Sequence, residues 1–532
     1  MSGSIVGPDE STPGKLADDE GGTFVQNLRR LPVLAHNATF RTGAATSDRA
    51  RMLKVFGNLW MHVHSTRIHV RSLRFAATMG LGVAALAAFL VATVTGILLM
   101  VYYTPSVEGA YASVKDIHYV VPTGRFIRNV HRWSAHVMVI AVMAHGLRVF
   151  LTASYKKPRE FNWVVGLGLL AMTLGLSFTG YLLPWDQLAF WAATIGANIA
   201  ASPRELTDAL GVTQYADIGG LSKTLLLGAN EVGQPALVRF YLLHVMVLPL
   251  ATVAFVALHF WRIRKDGGLA RPTDEQLRAR GELSEGPENP HRDAFPKGST
   301  KTYGLMALVK GRTPWVGRGP ENTVPAYPNA LRAEVAVSMV VVMICLLLAV
   351  LSDAPLKEMA NAAIPENPAK APWYFLGVQE LVSYSAFMGG VALPGLAMVG
   401  LAFIPFLDRE REPGGVWFSG KLGTRVFVLS ALLGFVVTVV VEVLVIRYGW
   451  LRNWFPDIHQ LWIIAVNAGT IMTAAFAAWS FGVLRKTRST RMAALSLVSA
   501  VLLGFIVLTW IGTIHRGPNW DFFWSQSEWP KH

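Results

Sequence analysis

The sequence has a single cysteine in 532 residues, Cys345, and it lies inside an apolar stretch. That excludes an internal disulfide, a cysteine-ligated iron–sulfur cluster and any CxxCH motif for covalent haem attachment. Charge is also scarce: Asp, Glu, Lys and Arg make up 15% of the chain against 52% hydrophobic residues, and the mean hydropathy is +0.38. An ordinary soluble domain is excluded by that composition. Acidic residues number 34 against 48 Lys and Arg, a formal net charge of +14. The excess does not point to nucleic acid, because the basic residues gather in particular loops and so report membrane orientation. Residues 1 to about 45 lack an apolar core and are polar and rich in Gly, Ser and Asp. They read as a flexible cytoplasmic extension and not a signal peptide.

What the chain does have is apolar runs of about twenty residues, enough for each to cross a bilayer as a helix. Nine are expected, at about 76–101, 131–153, 161–183, 240–262, 332–351, 385–407, 423–446, 459–482 and 491–513. The fold class is therefore an all-α polytopic membrane protein of about nine transmembrane helices. Residues 50–75 are basic and aromatic and fit an amphipathic helix on the membrane surface, with His62, His64 and His69 on its solvated face. Lys156, Lys157 and Arg159 follow the second run, Arg409, Arg411 and Lys421 the sixth, and Arg485, Lys486, Arg488 and Arg491 the eighth. The positive-inside rule places these loops and the amino terminus in the cytoplasm, and the intervening loops and the tail 514–532 outside. The expected organisation is a cytoplasmic extension and surface helix (1–75), a four-helix domain (76–264), a Pro/Gly-rich cytoplasmic linker (265–331), a second membrane domain (332–482) and an extra helix with an outer tail (483–532).

The stretch GRFIRNVHRWSAHVMVIAVMAHGLRVFLT, 124–152, carries His131 and His145. Fourteen residues of α-helix rise about 21 Å in nearly four turns, so both imidazoles share one face at different depths. A second stretch, RFYLLHVMVLPLATVAFVALHFWRIRK, 239–265, carries His244 and His259, fifteen residues apart and on almost one face. One buried histidine in a membrane helix can be a packing residue, but four at matched depths point to two bis-histidine haem sites. A haem held by imidazole on both axial positions has no open coordination site and carries electrons. Gly82 and Gly96, and Gly166 and Gly180, repeat the fourteen-residue spacing on two further helices. Glycine there gives a flat macrocycle room, and a four-helix bundle around two haems follows. Arg128, Arg132, Arg148, Arg239 and Arg264 fall near the membrane faces, where guanidinium groups can pair with haem propionates.

These stretches resemble cytochrome b, the membrane core of cytochrome bc complexes and of their plastid relatives. HRWSAH from His131, KKPREFNW from Lys156, GYLLPWDQLAFW from Gly180, RFYLLH and LHFWRIRK carry the resemblance, strongly over 75–408 and loosely over 409–482. It implies that His131 and His244 hold a low-potential haem near the outer face, and His145 and His259 a high-potential haem near the cytoplasm, both non-covalent and b-type. It also implies a quinol-oxidation site built partly from a Pro-Glu-Trp-Tyr motif. The matching stretch, KAPWYFLGVQELVSY from Lys370 to Tyr384, keeps Trp373 and Tyr374 but has Ala371 and Pro372 where Pro-Glu is expected. Glu380 is the nearest downstream carboxylate and the candidate proton acceptor. Where the plastid-type chain has a cysteine attaching an extra haem, this one has Gly80, so no covalently attached extra haem is expected. The chain is also fused where plastid-type complexes split, and adds two helices.

The resemblance implies the cytochrome b subunit of a bc-type respiratory complex, a quinol:cytochrome c oxidoreductase in the bacterial cytoplasmic membrane. Such a complex oxidises quinol at the outer face, passes electrons through two haems to a quinone site near the cytoplasm, and translocates protons. Its Rieske iron–sulfur protein and c-type cytochrome must be separate subunits, since this chain lacks their ligands, and the complex is expected to be homodimeric. A dihaem anchor of a hydrogenase or formate dehydrogenase is an alternative that leaves the Trp373–Tyr374 loop and five further helices unexplained. A non-redox transporter with proton-relaying histidines is another.

Overall fold

The computed structural model describes residues 23–40, 45, 48–58, 61–272, 323–410 and 414–530. Helix dominates, and the named strands are two three-residue segments, Arg67–His69 and Thr323–Pro325, paired antiparallel with Ile68 opposite Val324. The expected all-α polytopic class is what the chain forms. Contacts divide it into one compact unit of Met1–Leu73 and Pro287–Ala333 and a second of Arg74–Gly286 and Glu334–His532.

The first unit holds the short strand pair and a small apolar core of Val55, Met61, Ala326 and Ala330. Its sequence was expected to give an unstructured extension followed by one surface helix over 50–75. Instead Phe24–Phe40 is helical, the next helix spans Asp48–Gly57, and residues 67–69 are extended. The Gly57 terminus and the β-branched Ile68 between two long polar side chains account for the break, since a helix tolerates neither as well as a strand or turn does. Most of the expected extension, residues 1–22, and most of the linker, residues 273–322, lie outside the described residues.

Within the second unit lie four helices set by long apolar runs. Leu81–Met100 and Glu160–Tyr181 carry the glycine pairs, and Gly124–Leu151 and Gln234–Lys265 carry the histidine pairs. We refer to them as the first and second glycine helices and the first and second histidine helices. Leu81–Met100 has no charged residue in twenty, so lipid or protein must cover every side of it. At mid-depth Ala87, Ala88 and Phe89 pack with Met138, Leu176, Val341 and Cys345, so the one cysteine is a buried apolar filler.

Eight of the described helices are long and apolar enough to cross a membrane; besides these four they are Ala326–Leu351, Met388–Leu407, Lys421–Trp454 and Thr490–His515. The remaining expected span, 459–482, forms two helices, Gln460–Ala465 and Ala468–Thr487. Asn467 breaks them and caps the second by accepting from Thr470 N. Ala468, Met472 and Phe476 are packed into a cluster with Val441, Ala500 and Leu508, so this helix's small residues serve helix packing. The segment after Ala326–Leu351 is tied back onto the first histidine helix. Asn129 donates to the Ala349 carbonyl and to Asp353 and accepts from Ala354 N. Those bonds carry the following helix, Trp373–Tyr384, to its place beside the histidines.

Candidate functional site

The two histidine helices bring their side chains together in two pairs. The His131 and His244 ring centres are 6.1 Å apart with planes at 77°, and those of His145 and His259 are 6.3 Å apart, also at 77°. An imidazole–metal bond of about 2.0–2.1 Å on each side, plus about 1.1 Å from nitrogen to ring centre, requires about 6.3 Å between centres. Both pairs therefore fit one metal-centred group held by two imidazoles. Among the described residues no three His, Cys, Asp or Glu converge as a metal cluster.

The glycine helices supply what lies behind the rings. A methyl group on Gly96 would stand 3.1 Å from His131 Cε1, on Gly82 3.3 Å from His145 Cε1, and on Gly166 3.7 Å from His259 Cε1. On Gly180 it would overlap the His244 ring, at 2.9 Å from Nδ1 and 3.0 Å from Nε2. The rings thus lean on glycine backbone, and in the His131–His244 pair the close approach brings each Nδ1 to a backbone carbonyl, whereas His259 Nδ1 is buried without a hydrogen-bond partner among the described residues. His131 Nδ1 donates to the Ala92 carbonyl at 3.0 Å and lies 3.1 Å from Thr95 Oγ1. His244 Nδ1 donates to the Leu176 carbonyl at 3.0 Å and lies 3.4 Å from Thr179 Oγ1. Each accepting carbonyl is four residues before a glycine, and each threonine is one before it. With Nδ1 carrying the proton, Nε2 presents its lone pair to the space between the rings, which is the orientation a metal ligand needs. Sequence reasoning found the glycines but missed Thr95 and Thr179, although the Thr-Gly pair recurs at 95–96 and 179–180.

The fifteen-residue spacing on the second histidine helix has a local cause. Leu243–Val247 is a turn of π-helix, and Pro249 follows it. Pro249 offers no N–H to the Val245 carbonyl and its ring crowds that carbonyl, so the helix widens by one residue. The bulge absorbs the extra residue, and His244 and His259 acquire the separation that fourteen residues give His131 and His145.

The Trp373–Tyr384 helix lies against the first histidine helix. Trp373 Nε1 donates to His136 Nδ1 at 3.1 Å, and the Tyr374 ring centre is 6.0 Å from that of His136. Burial raises the Tyr374 phenol above its usual value, so it stays a donor at neutral pH. Arg132 is within electrostatic reach of His136, Tyr181 and Tyr374. His136 was not singled out in the sequence, since it falls five residues after His131 and off that face.

Glu380 is not brought to this cluster. It is fully buried and accepts from Arg516 Nε at 3.0 and 3.2 Å, from Arg516 Nη2, and from Trp520 Nε1 at 3.0 Å. The carboxylate expected to accept the quinol proton is pinned, because the tail turns back to claim it. The arginines also divide. Arg128 donates to the Ala354 and Pro355 carbonyls at 2.8 and 2.6 Å and so fastens a loop, and Arg239 donates to the Leu225 carbonyl at 2.6 Å, in the last turn of the Ile218–Leu227 helix. Arg148 bonds the Ala77 carbonyl through Nη2 while its Nε has no partner among the described residues. Arg264 lies in the last turn of the second histidine helix.

The family described as cytochrome b/b6/petB matches residues 69–267, the segment that holds all four histidines and both glycine pairs. Cytochrome b6 of Heliobacterium mobile is 47% identical over 187 residues, 35% of this chain and 82% of that protein. Cytochrome b6 of Heliobacterium modesticaldum is 44% identical over the same shares. A solved structure titled hyperthermophilic respiratory Complex III has a similar fold, with a TM-score of 0.51 over 82% of this chain and 91% of that one, at 22% identity.

Proposed function

The chain belongs to the cytochrome b/b6 family, a family of b-type haem proteins, and from that premise we propose that it is the cytochrome b subunit of a bc-type quinol-oxidising respiratory complex. The observation that carries the proposal is the pair of histidine sites with matched ring separations of 6.1 and 6.3 Å. His131 and His244 would hold one b haem towards the outer face, and His145 and His259 a second towards the cytoplasm. When bound, the two groups supply electron transfer across the membrane.

The chain's own residues do the rest. Ala92 and Leu176 accept the Nδ1 protons of His131 and His244, which keeps each Nε2 bare and aimed. Gly82, Gly96, Gly166 and Gly180 leave the rings space, and Arg132 and Arg148 would pair with propionates. Arg128 holds the loop after Ala326–Leu351, and Arg239 holds the end of the Ile218–Leu227 helix. Trp373, Tyr374 and His136 form the wall against which quinol would be oriented at the outer end, and oxidised quinone would be re-reduced at the cytoplasmic end. Releasing protons at one face and taking them up at the other translocates them. Glu380 is left out of the oxidation step, because its charge is committed to Arg516. The iron–sulfur and c-type centres would come from a Rieske protein and a c-type cytochrome, in a homodimeric complex of the bacterial cytoplasmic membrane.

The test is haem stoichiometry of the purified chain by dithionite-reduced minus oxidised spectra. Two b-type haems per chain are expected, and one after His259→Leu. A folded His259→Leu variant that keeps two haems or holds none refutes the pairing.

A further inference from the structure

Away from the histidine pairs, the second unit buries two carboxylates against one cation. Glu380, on the Trp373–Tyr384 helix, is 0% exposed, and Glu442, on the Lys421–Tyr448 helix, is 1% exposed. Arg516 and Trp520 come from the segment after the last membrane helix, and Tyr384 stands between the two acids. The charged groups acting on Glu442 are Glu380 and Arg516, with Tyr384 as its phenol neighbour. With both carboxylates ionised, the cluster would hold one excess negative charge out of reach of bulk solvent, which protein interiors avoid by neutralising a group.

Hydrogen-bond accounting decides which acid is neutral. Glu380 receives both arms of Arg516 and the Trp520 indole, a full complement for a carboxylate. Glu442 receives far less. Its Oε1 is 2.5 Å from Tyr384 Oη, and its Oε2 is 3.7 Å from Arg516 Nη2 and has no hydrogen-bond partner among the described residues. Tyr384 Oη also lies 3.3 Å from Glu380 Oε1. One phenol proton cannot serve two ionised acids. If Glu442 carries a proton and donates it to Tyr384 Oη, Tyr384 can donate to Glu380, and every group has a consistent role.

We infer that Glu442, Tyr384 and Glu380 form a buried one-proton site in which Glu442 rests as a neutral carboxylic acid and Tyr384 links it to the ionised Glu380. Transfer runs along the same chain: Glu442 gives its proton to Tyr384 Oη as Tyr384 gives its own to Glu380 Oε1, leaving Glu442 ionised and Glu380 neutral. No atom or charge is gained. The site is separate from the proposed haem ligands and does not depend on them.

Infrared spectra of the full-length haem-loaded protein test it at neutral pH, in the C=O stretching region of protonated carboxylic acids. Wild type minus Glu442→Gln should show one such band, sensitive to deuterium exchange. Because glutamine mimics a neutral acid, Glu442→Gln should melt as wild type does and keep its b-type absorption. Glu380→Gln should abolish the same band, since Glu442 then ionises as the sole counter-charge to Arg516. The inference is overturned by a difference spectrum with no carboxylic-acid band. It is equally overturned if Glu442→Gln unfolds or melts far below wild type, because that would make Glu442 an ionised partner of Arg516.

Discussion

Replacing Gly180 by alanine would set a methyl group on the His244 ring, 2.9 Å from Nδ1, 3.0 Å from Nε2 and closer still to Cε1. Carbon contacts are comfortable at about 3.5–4.0 Å, so the ring must retreat by roughly 1 Å. That retreat stretches the 3.0 Å bond from His244 Nδ1 to the Leu176 carbonyl beyond hydrogen-bonding range. Overpacking of this kind costs about 1–3 kcal/mol, roughly 5- to 150-fold in the binding constant for whatever His244 ligates. Gly166→Ala is the internal control. Its methyl would meet His259 at 3.7 Å, an ordinary contact, and the substitution removes only a helix-disfavouring glycine. The assay is haem per chain from reduced-minus-oxidised spectra, with haem limiting. Gly180→Ala should lose occupancy at one site, and Gly166→Ala should keep both. Equal losses in the two variants, or a larger loss in Gly166→Ala, would refute the view that the glycines are there for the rings and not merely for helix packing.

Two further outcomes follow from the helices themselves. Deleting Val247 together with Pro249→Ala should give a plain α-helix with fourteen-residue histidine spacing and wild-type haem content. The deletion with Pro249 in place should lose haem, and equal content in the two proteins would contradict the bulge argument. Arg491→Met should lower stability by at least about 1–3 kcal/mol, the cost of leaving a buried acceptor unsatisfied, seen as a lower melting temperature and yield. Arg491 is fully buried and donates to the Phe150 and Leu151 carbonyls, Tyr155 Oη and Ser419 Oγ at 2.9–3.1 Å. An unchanged melting curve would return Arg491 to the role of a loop charge.

The parts legible in the sequence are those set by one helix at a time. Apolar run length marked the membrane helices, and the fourteen-residue period marked the residues that meet across the bundle. What was hidden depends on chain segments far apart. Glu380 looked available as the nearest carboxylate in sequence, whereas the group that claims it, Arg516, is 136 residues away. Arg491 looked like one more cytoplasmic charge for the same reason. It folds inward because the first histidine helix ends there, leaving terminal carbonyls that need donors and a negative dipole end that favours a guanidinium. A basic residue beside an apolar run can report orientation or plug another helix's end, and charge pattern alone does not distinguish them.

The spacing mismatch between the two histidine helices shows how a local irregularity can be the regular feature. Fifteen residues of plain α-helix would turn His259 about 100° further and 1.5 Å lower than fourteen would. One ring of the second pair would then leave its partner, yet both pairs show the same 77° interplanar angle and separations within 0.2 Å, the difference between 6.3 and 6.1 Å. Pro249 supplies the correction at the least costly place. It stands two residues after the π turn, deep in the helix, where the widened turn also contains His244 itself. A second case supports the cause: Met388–Ala392 is likewise π-helical and Pro394 likewise follows two residues after its end. Proline in a membrane helix is usually read as a kink. In the second histidine helix it is the element that makes an odd spacing equivalent to an even one, so the histidines remain opposed at both depths.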